Sequence, residues 1–214
     1  MSIDKIRREY DRNALHQDHL HPEPHEQFKL WFDAAVNSKE LIDPTAMLLA
    51  TYHPQHFLSQ RIVLLKGSSP EGYVFYTNYN SNKAQTLLST PQCNLHFAWL
   101  PLERQVSISG VAEKLSDADN DTYFASRPRN SQLAAWASEQ SKPIADRHAL
   151  DTQFHALEER FKDEPSIPRP PHWGGFIVKP TQYEFWQGAK ARLHDRFVYT
   201  RLADNTWQQQ RLQP

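Results

Sequence analysis

Ala46-Met47-Leu48-Leu49-Ala50-Thr51-Tyr52, Gln60-Arg61-Ile62-Val63-Leu64-Leu65-Lys66, Tyr73-Val74-Phe75-Tyr76-Thr77-Asn78, Asn94-Leu95-His96-Phe97-Ala98-Trp99 and Gln105-Val106-Ser107-Ile108-Ser109-Gly110-Val111-Ala112-Glu113 succeed one another through the first half of the chain. Each run is short and rich in β-branched and aromatic residues, the composition of strands. The pieces between them include His53-Pro54, Gly67-Ser68-Ser69-Pro70-Glu71-Gly72 and Thr90-Pro91. Such turn-like links favour antiparallel hairpins over helical crossovers, and so a sandwich or small barrel.

Working outward, strands resume at Gly175–Lys179, Tyr183–Gln187, Leu193–Tyr199 and Trp207–Leu212. Before the sheet, Phe28, Trp31, Phe32, Ala35 and Val36 recur at helical spacing, which predicts a helix from His25 to about Ser38. Further helices are expected over Lys83–Leu88, from the N-cap Ser116 to about Ser126 where Pro128 breaks it, and over Ile144–Phe161. The prolines at 165, 168, 170 and 171 mark an extended connector. Residues 1–24 are polar, with Pro22 and Pro24, and read as an arm with little core of its own that orders over a ligand. Residues 25–214 form a single domain, and the class is α+β on an antiparallel sheet.

Composition removes several functions. The 214 residues carry 24 Lys plus Arg against 25 Asp plus Glu, a net charge of -1 that gives no global attraction to nucleic acid or an acidic membrane. Hydrophobic residues at 39%, with 6 Trp, supply too much packing material for a disordered chain. The first of only 6 glycines is Gly67, and neither GxGxxG, GxxxxGK[ST] nor GxSxG can be written from them. Lone Cys93 excludes an internal disulfide framework and a multi-cysteine zinc site; it reads as a strand residue of a reduced, cytoplasmic protein. The N-terminus lacks a signal-peptide apolar run, and no stretch reaches the roughly 18 apolar residues that span a membrane. His16, His19, His21 and His25 are interrupted by prolines and unsupported by cysteine, so no metal site is assigned to them.

Three segments gather unexplained polar groups. Arg61 and Lys66 stand at the two ends of an apolar strand, facing opposite ways if it is regular. Tyr123 and Arg127 share a helical face, and the turn at Pro128 brings Ser131 toward them: a phenol, a guanidinium fork and a hydroxyl suited to a phosphate. Arg192, His194 and Arg196 alternate along an expected strand, so that like charges on one face call for an anionic, planar partner.

Arg7-Arg8-Glu9-Tyr10, Asp43-Pro44-Thr45-Ala46-Met47, Gln60 to Lys66, Phe75-Tyr76-Thr77-Asn78, Glu103-Arg104-Gln105-Val106, Ser126-Arg127-Pro128-Arg129, Trp173-Gly174-Gly175-Phe176, Glu184-Phe185-Trp186-Gln187-Gly188 and Arg192-Leu193-His194-Asp195-Arg196 together resemble the pyridoxine (pyridoxamine) 5'-phosphate oxidase family, in order and spacing, from Arg7 to Pro214. The resemblance implies a split β-barrel FMN-binding fold, with peripheral helices, that works as a homodimer with FMN at the interface. It implies FMN contacts at Arg61, Ile62, Val63, Leu64, Leu65, Lys66, Tyr76, Thr77, Asn82, Lys83, Gln105, Gln140, Ser141, Trp186 and Arg196. The substrate phosphate would meet Lys66, Tyr123, Arg127 and Ser131, and the catalytic pair Arg192 and His194, with Leu193, would approach the pyridine ring. Arg7, Arg8, Glu9 and Tyr10 would close over the substrate. The implied reaction oxidises pyridoxamine 5'-phosphate or pyridoxine 5'-phosphate to pyridoxal 5'-phosphate and reduces O2 to H2O2. The family commonly has Ser-Arg-Lys where this chain has Ser81-Asn82-Lys83, so one guanidinium is missing near the flavin phosphate. A non-catalytic FMN or pyridoxal phosphate carrier would not need Arg192 and His194 to orient a reacting carbon. A nicotinamide-dependent flavin reductase would leave Tyr123, Arg127 and Ser131 without a role.

Overall fold

One strand organises the sheet. The computed structural model describes residues 2–214, and β7 (Trp173–Gln187) is a single 15-residue strand where the sequence suggests two. One edge of β7 pairs along its length with β6 (Arg104–Lys114). Its other edge is divided: Trp173–Val178 pair with β4 (Gly72–Asn78), and Gln182–Gln187 with β8 (Asp195–Arg201), which pairs in turn with β9 (Trp207–Leu212). The register against β6 slips between Ser109 and Gly110, opposite Pro180. Proline lacks the N–H that a ladder needs, and a bulge is where it fits. Gly110 allows the close approach, since a Cβ there would stand 2.3 Å from the Lys179 carbonyl oxygen.

The remaining strands close a barrel. β1 (Ala46–His53) pairs with β2 (His56–Leu64) and β5 (Gln92–Trp99), and β5 pairs with β6, all antiparallel. After β2 the chain crosses to β3 (Gly67–Ser69), which pairs with β4, and the Lys66 N–H donates to the Val74 carbonyl at 2.8 Å. The run from β2 to β3 therefore bridges β1 and β4 and closes the ring β1-β5-β6-β7-β4, while β8 and β9 splay away. The expected strand from Gln60 to Lys66 is thus corrected: ladder pairing stops at Leu64, so strict alternation does not relate Arg61 to Lys66.

Aromatic residues fill the interior. Helix α1 (Pro24–Ser38) starts on a proline at its first position and stops where Lys39 turns left-handed at φ 57°. Its Phe28 packs on Tyr73, Phe97 and Trp99 within 6.0 Å, and Trp31 packs edge-on against Phe185 at 5.4 Å. Val36, placed on that face by its spacing, is exposed. Cys93 is buried in β5, and burial pushes its thiol up to about 12, so it is an unreactive core group at neutral pH.

Four more helices stand outside the barrel. They are α2 (Asn82–Ser89), α3 (Asp117–Ser126), α4 (Arg129–Ala137) and α5 (Arg147–Arg160). Ser116 caps α3 by accepting the Asp119 N–H, and Pro128 separates α3 from α4, a helix beyond those expected from the sequence. α5 begins at Arg147, just after its cap Asp146 and three residues later than expected, and Ile144 lies exposed before it. Phe124, Leu133, Phe161, Ile167 and Trp173 form a second apolar cluster that fixes α3 and α4 against the start of β7.

The arm contributes more to packing than its composition suggests. Leu15 and Leu20 are buried in the main core, and the Tyr199 hydroxyl donates to the His21 carbonyl at 2.8 Å. The expectation of a segment with little core of its own is corrected on these contacts.

Candidate active site

A cavity of about 610 Å³ opens between the barrel wall and the α3–α4 pair. Ile62, Val63, Leu64 and Lys66 line it from β2 and the crossover, Tyr76 and Thr77 from β4, and Lys83 from α2. Tyr123, Arg127 and Ser131 enter from α3, the α3–α4 turn and α4; Gln140 and Trp173 complete the wall. All of these but Trp173 are expected at one site, and the fold brings them together. The Leu65 side chain instead belongs to the core.

At one end, the Lys83 ammonium donates to Gln140 Oε1 at 2.6 Å and to the Thr77 and Ser81 hydroxyls at 3.3 Å each, all neutral acceptors. Burial first, and the nearby Arg61 charge second, push Lys83 down to about 8. The Arg61 guanidinium is itself half-buried, donating to the Leu49 carbonyl and Thr51 Oγ1 at 2.9 Å and to Ser59 Oγ at 2.5 Å. Ser141, left-handed at φ 73°, accepts the Asn82 N–H at 3.3 Å, and so holds the 140–141 turn against the start of α2.

The other end holds an unsatisfied cation. Arg127 lies over the Trp173 ring at 4.5 Å, burial lowers its pKa, and its Nη1 is buried with no hydrogen-bond partner. An orphaned guanidinium nitrogen at a cavity wall is costly unless an anion completes it. Tyr123 stacks on Tyr76 at 3.9 Å, and Tyr76 on Trp173 at 5.1 Å, a rigid aromatic floor beside that cation. Burial pushes the Tyr76 phenol up to about 12, so it remains a proton donor at neutral pH. Among the described residues, none of the ion pairs uses Arg61, Lys66, Lys83 or Arg127.

A second group gathers elsewhere in the protomer. The His194 ring lies 4.6 Å from Trp186, and Tyr10 of the arm stands edge-on to both, at 5.4 Å and 5.8 Å. Gln105 and Trp186 line a cavity of about 200 Å³ with Arg8 and Tyr10. His194 Nδ1 accepts the Ala189 N–H at 3.1 Å, which puts the proton of the neutral ring on Nε2. Arg192 is exposed and left-handed at φ 62°, in a short helical turn over Lys190–Arg192. The expected strand from Leu193 is corrected accordingly: β8 begins at Asp195, and Arg192, His194 and Arg196 do not share a strand face. Arg196 pairs with Glu184 at 2.8 Å and donates to the Gln213 carbonyl at 3.0 Å. Gln105, Trp186, Arg192, His194 and Arg196 are absent from the wall of the 610 Å³ cavity, so the expected site residues fall into two separate groups in this chain. Arg7 and Glu9 lie exposed on the arm, with Arg7 Nε donating to the Asp4 carbonyl at 3.2 Å.

Trp173 and Ser138 of the cavity wall, and Glu103 beside Gln105, were not singled out in sequence as site residues. The signal for the α4 wall was available: Pro128 before Leu133, Trp136 and Ala137 is a helix start followed by one helical face.

A split barrel whose main cavity is cationic and free of carboxylates, beside an aromatic floor, is the class of protein suited to a planar, anion-bearing ligand. Residues 35–161 match the family described as pyridoxamine 5'-phosphate oxidase, and residues 173–214 match the pyridoxine 5'-phosphate oxidase C-terminal dimerisation region. Full-length relatives are the pyridoxine/pyridoxamine 5'-phosphate oxidases of Idiomarina loihiensis and Hahella chejuensis, each 50% identical over 214 residues and 100% of both chains. Among solved structures, PhzG from Burkholderia lata, in complex with tetrahydrophenazine-1-carboxylic acid, superposes with a TM-score of 0.87 at 29% identity, over 94% of this chain and 98% of that one. A pyridoxamine 5'-phosphate oxidase-related, FMN binding protein of Nostoc punctiforme shares the fold with a TM-score of 0.69 at 16% identity, over 87% of this chain and 97% of that one. The chain belongs to the pyridoxine/pyridoxamine 5'-phosphate oxidase family.

Proposed function

We infer that the protein oxidises pyridoxamine 5'-phosphate or pyridoxine 5'-phosphate to pyridoxal 5'-phosphate with FMN as cofactor. The amine substrate, O2 and water give the aldehyde, ammonia and H2O2; the alcohol substrate and O2 give the aldehyde and H2O2. The observation that carries the substrate assignment is the buried, partnerless Arg127 Nη1 beside Tyr123 and Ser131 on the cavity wall. A phosphate monoester supplies the acceptors that this guanidinium lacks. Lys66, exposed on the same wall, adds a second positive charge.

The residues present fit FMN. Lys83, ringed only by neutral oxygens and depressed by burial, suits the cofactor's phosphate, with Thr77, Ser81, Gln140 and Ser141 as hydroxyl and amide partners and Arg61 contributing charge. Ile62, Val63 and Leu64 offer apolar and backbone contacts to the flavin ring. When bound, FMN supplies the two-electron acceptor for the substrate's C4' and hands the electrons to O2. The protein's own share is to clamp the phosphate and exclude water, and to orient the pyridine ring with Arg192 and His194. Two copies complete the site in this reading, so that Gln105, Trp186, Arg192, His194 and Arg196 of one protomer serve the cavity of its partner, with FMN between them. The apolar residues that β2 exposes, Phe57, Leu58 and Ile62, give the edge strand a surface that a second copy would cover.

The test is the absorbance of FMN-loaded protein, recorded anaerobically before and after adding pyridoxamine 5'-phosphate. Bleaching that reverses on admission of air is expected; a shifted but unbleached spectrum would make the protein a carrier. In the same experiment Arg192→Ala is expected to slow single-turnover bleaching about tenfold or more, since a positioned charged group is lost. An unchanged rate would remove Arg192 from the chemistry. Asn82→Arg, at the start of α2, is expected to tighten FMN about tenfold by restoring a charge-assisted contact of about 1–3 kcal/mol. Equal or weaker affinity by flavin fluorescence titration would show that Asn82 does not limit cofactor retention.

A further inference from the structure

Two buried carboxylates each hold a backbone N–H of the arm. Glu103, 6% exposed and left-handed at φ 55°, accepts the Arg12 N–H at 3.1 Å on Oε2 and Arg8 Nη2 at 3.0 Å on Oε1. Asp195, 7% exposed, accepts the Leu15 N–H at 2.9 Å on Oδ2 and the Arg211 guanidinium on Oδ1. Both bracket the segment that carries Arg192 and His194. The Glu103 carbonyl accepts the Gly188 N–H at 2.8 Å and Gln187 Nε2 at 3.1 Å, and Asp195 follows His194 directly. Between these anchors Tyr10 lies on Gly188, where a Cβ would come within 2.7 Å of its ring.

Undocking the arm would strip Glu103 of both side-chain partners and leave Asp195 with Arg211 alone. The arm's bonds to these carboxylates are charge-assisted and shielded from water while it is docked, and undocking loses them, so both favour the docked state. We propose that Glu103 and Asp195 are positioning residues, a two-point clasp that holds residues 8–15 down before substrate arrives. Tyr10 and Arg8 then form a preset wall beside Trp186 and His194. The functional side of this proposal rests on the oxidase reading above; the clasp itself does not. A preset wall spares the substrate the cost of ordering the arm, so breaking the clasp acts on substrate binding more than on the chemical step.

Hydrogen exchange of the FMN-loaded protein without substrate tests the clasp directly. Wild type is expected to protect the Arg12 and Leu15 amides. Glu103→Ala is expected to speed exchange over residues 8–15 about tenfold or more, and Asp195→Ala to do so around Leu15. Glu103→Gln keeps an acceptor for the Arg12 N–H, loses the charge that pairs with Arg8, and is expected to restore part of the protection. In steady-state assays Glu103→Ala is expected to raise KM about five- to tenfold with kcat within about twofold, whereas a merely structural role would lower kcat and melting temperature together. Unprotected wild-type amides, or unchanged exchange in Glu103→Ala, would overturn the clasp; lost protection without a KM change would overturn its role in binding. Should Glu103→Ala fail to fold, Glu103→Gln carries the same comparison. A protein that exchanges as expected but never turns over would refute the oxidase reading and leave the clasp standing.

Discussion

Arg127→Ala is expected to raise the concentration of pyridoxamine 5'-phosphate needed for half-maximal anaerobic bleaching about hundredfold or more, with the ligand-free protein no less stable than wild type. The two halves of this expectation have one cause. Arg127 Nη1 is buried without a hydrogen-bond partner, and burial of its guanidinium lowers its pKa. Such a group costs stability until an anion arrives. Its removal takes away that cost together with a cation–π contact to Trp173 at 4.5 Å, two small effects of opposite sign. The bound state is different. There the fork would make charge-assisted bonds to a phosphate, and truncating one partner of a buried charged pair costs about 2–5 kcal/mol, with each ~1.4 kcal/mol a factor of ten in affinity. A calorimetric melting curve and a bleaching titration measure both halves. A melting temperature that falls sharply would make Arg127 a structural residue, and an unchanged titration would move the phosphate elsewhere. Tyr123, stacked on Tyr76, and Ser131 would remain in the variant, so weak binding persists.

The parts of this architecture that were legible in the sequence are those with a strong local period. Five of the six strands before β7, and α1, are marked by β-branched runs and by a helical stripe whose Phe28, Trp31 and Ala35 are indeed buried, whereas the short β3 reads as part of a turn. The parts that were not legible depend on contacts distant in sequence. Pro180 reads as a strand break, yet β7 runs through it because Gly110 of β6 lets Lys179 approach in a bulge. The alternation of Arg192, His194 and Arg196 suggests a strand, but Ala191 and Arg192 turn left-handed and His194 is bound back to the Ala189 N–H. The arm looks loose by composition, because its anchors are backbone N–H groups whose acceptors, Glu103 and Asp195, lie far along the chain. A period reports which face of an element is apolar; it carries no information on which carboxylate a remote amide will find. The same limit applies to the site. Tyr123, Arg127 and Ser131 converge as their local spacing suggests, whereas the division of the expected site residues into two separate groups in this chain follows from topology alone.

The second large effect concerns Lys83 and has a direction in pH. Burial depresses this lysine to about 8, so without an anion beside it its charge is present below that value and lost above it. The FMN phosphate has its second ionisation near pH ~6 and is a dianion throughout the neutral and mildly alkaline range. A dianion beside the ammonium favours the charged form and raises the lysine's pKa in the complex. Below about pH 8 the lysine is already charged on both sides of the binding equilibrium, and affinity is flat. Above it, binding must take up a proton, and FMN affinity is expected to fall toward tenfold per pH unit until the pKa of the complex is reached. Lys83→Met keeps the length and apolar stem but not the charge, and is expected to weaken FMN about 30- to 100-fold at neutral pH, the loss of a desolvated charge-assisted contact. The variant should also abolish the alkaline slope, while Lys83→Arg, charged at every pH tested, should keep affinity and lose the slope. Flavin fluorescence titrations between pH ~7 and ~9.5 on the three proteins separate these outcomes, because only the lysine has a proton to exchange in that window. A slope that persists in Lys83→Met would assign the titrating group to another residue, and a flat wild-type profile would mean that Lys83 is charged at these pH values with or without the cofactor.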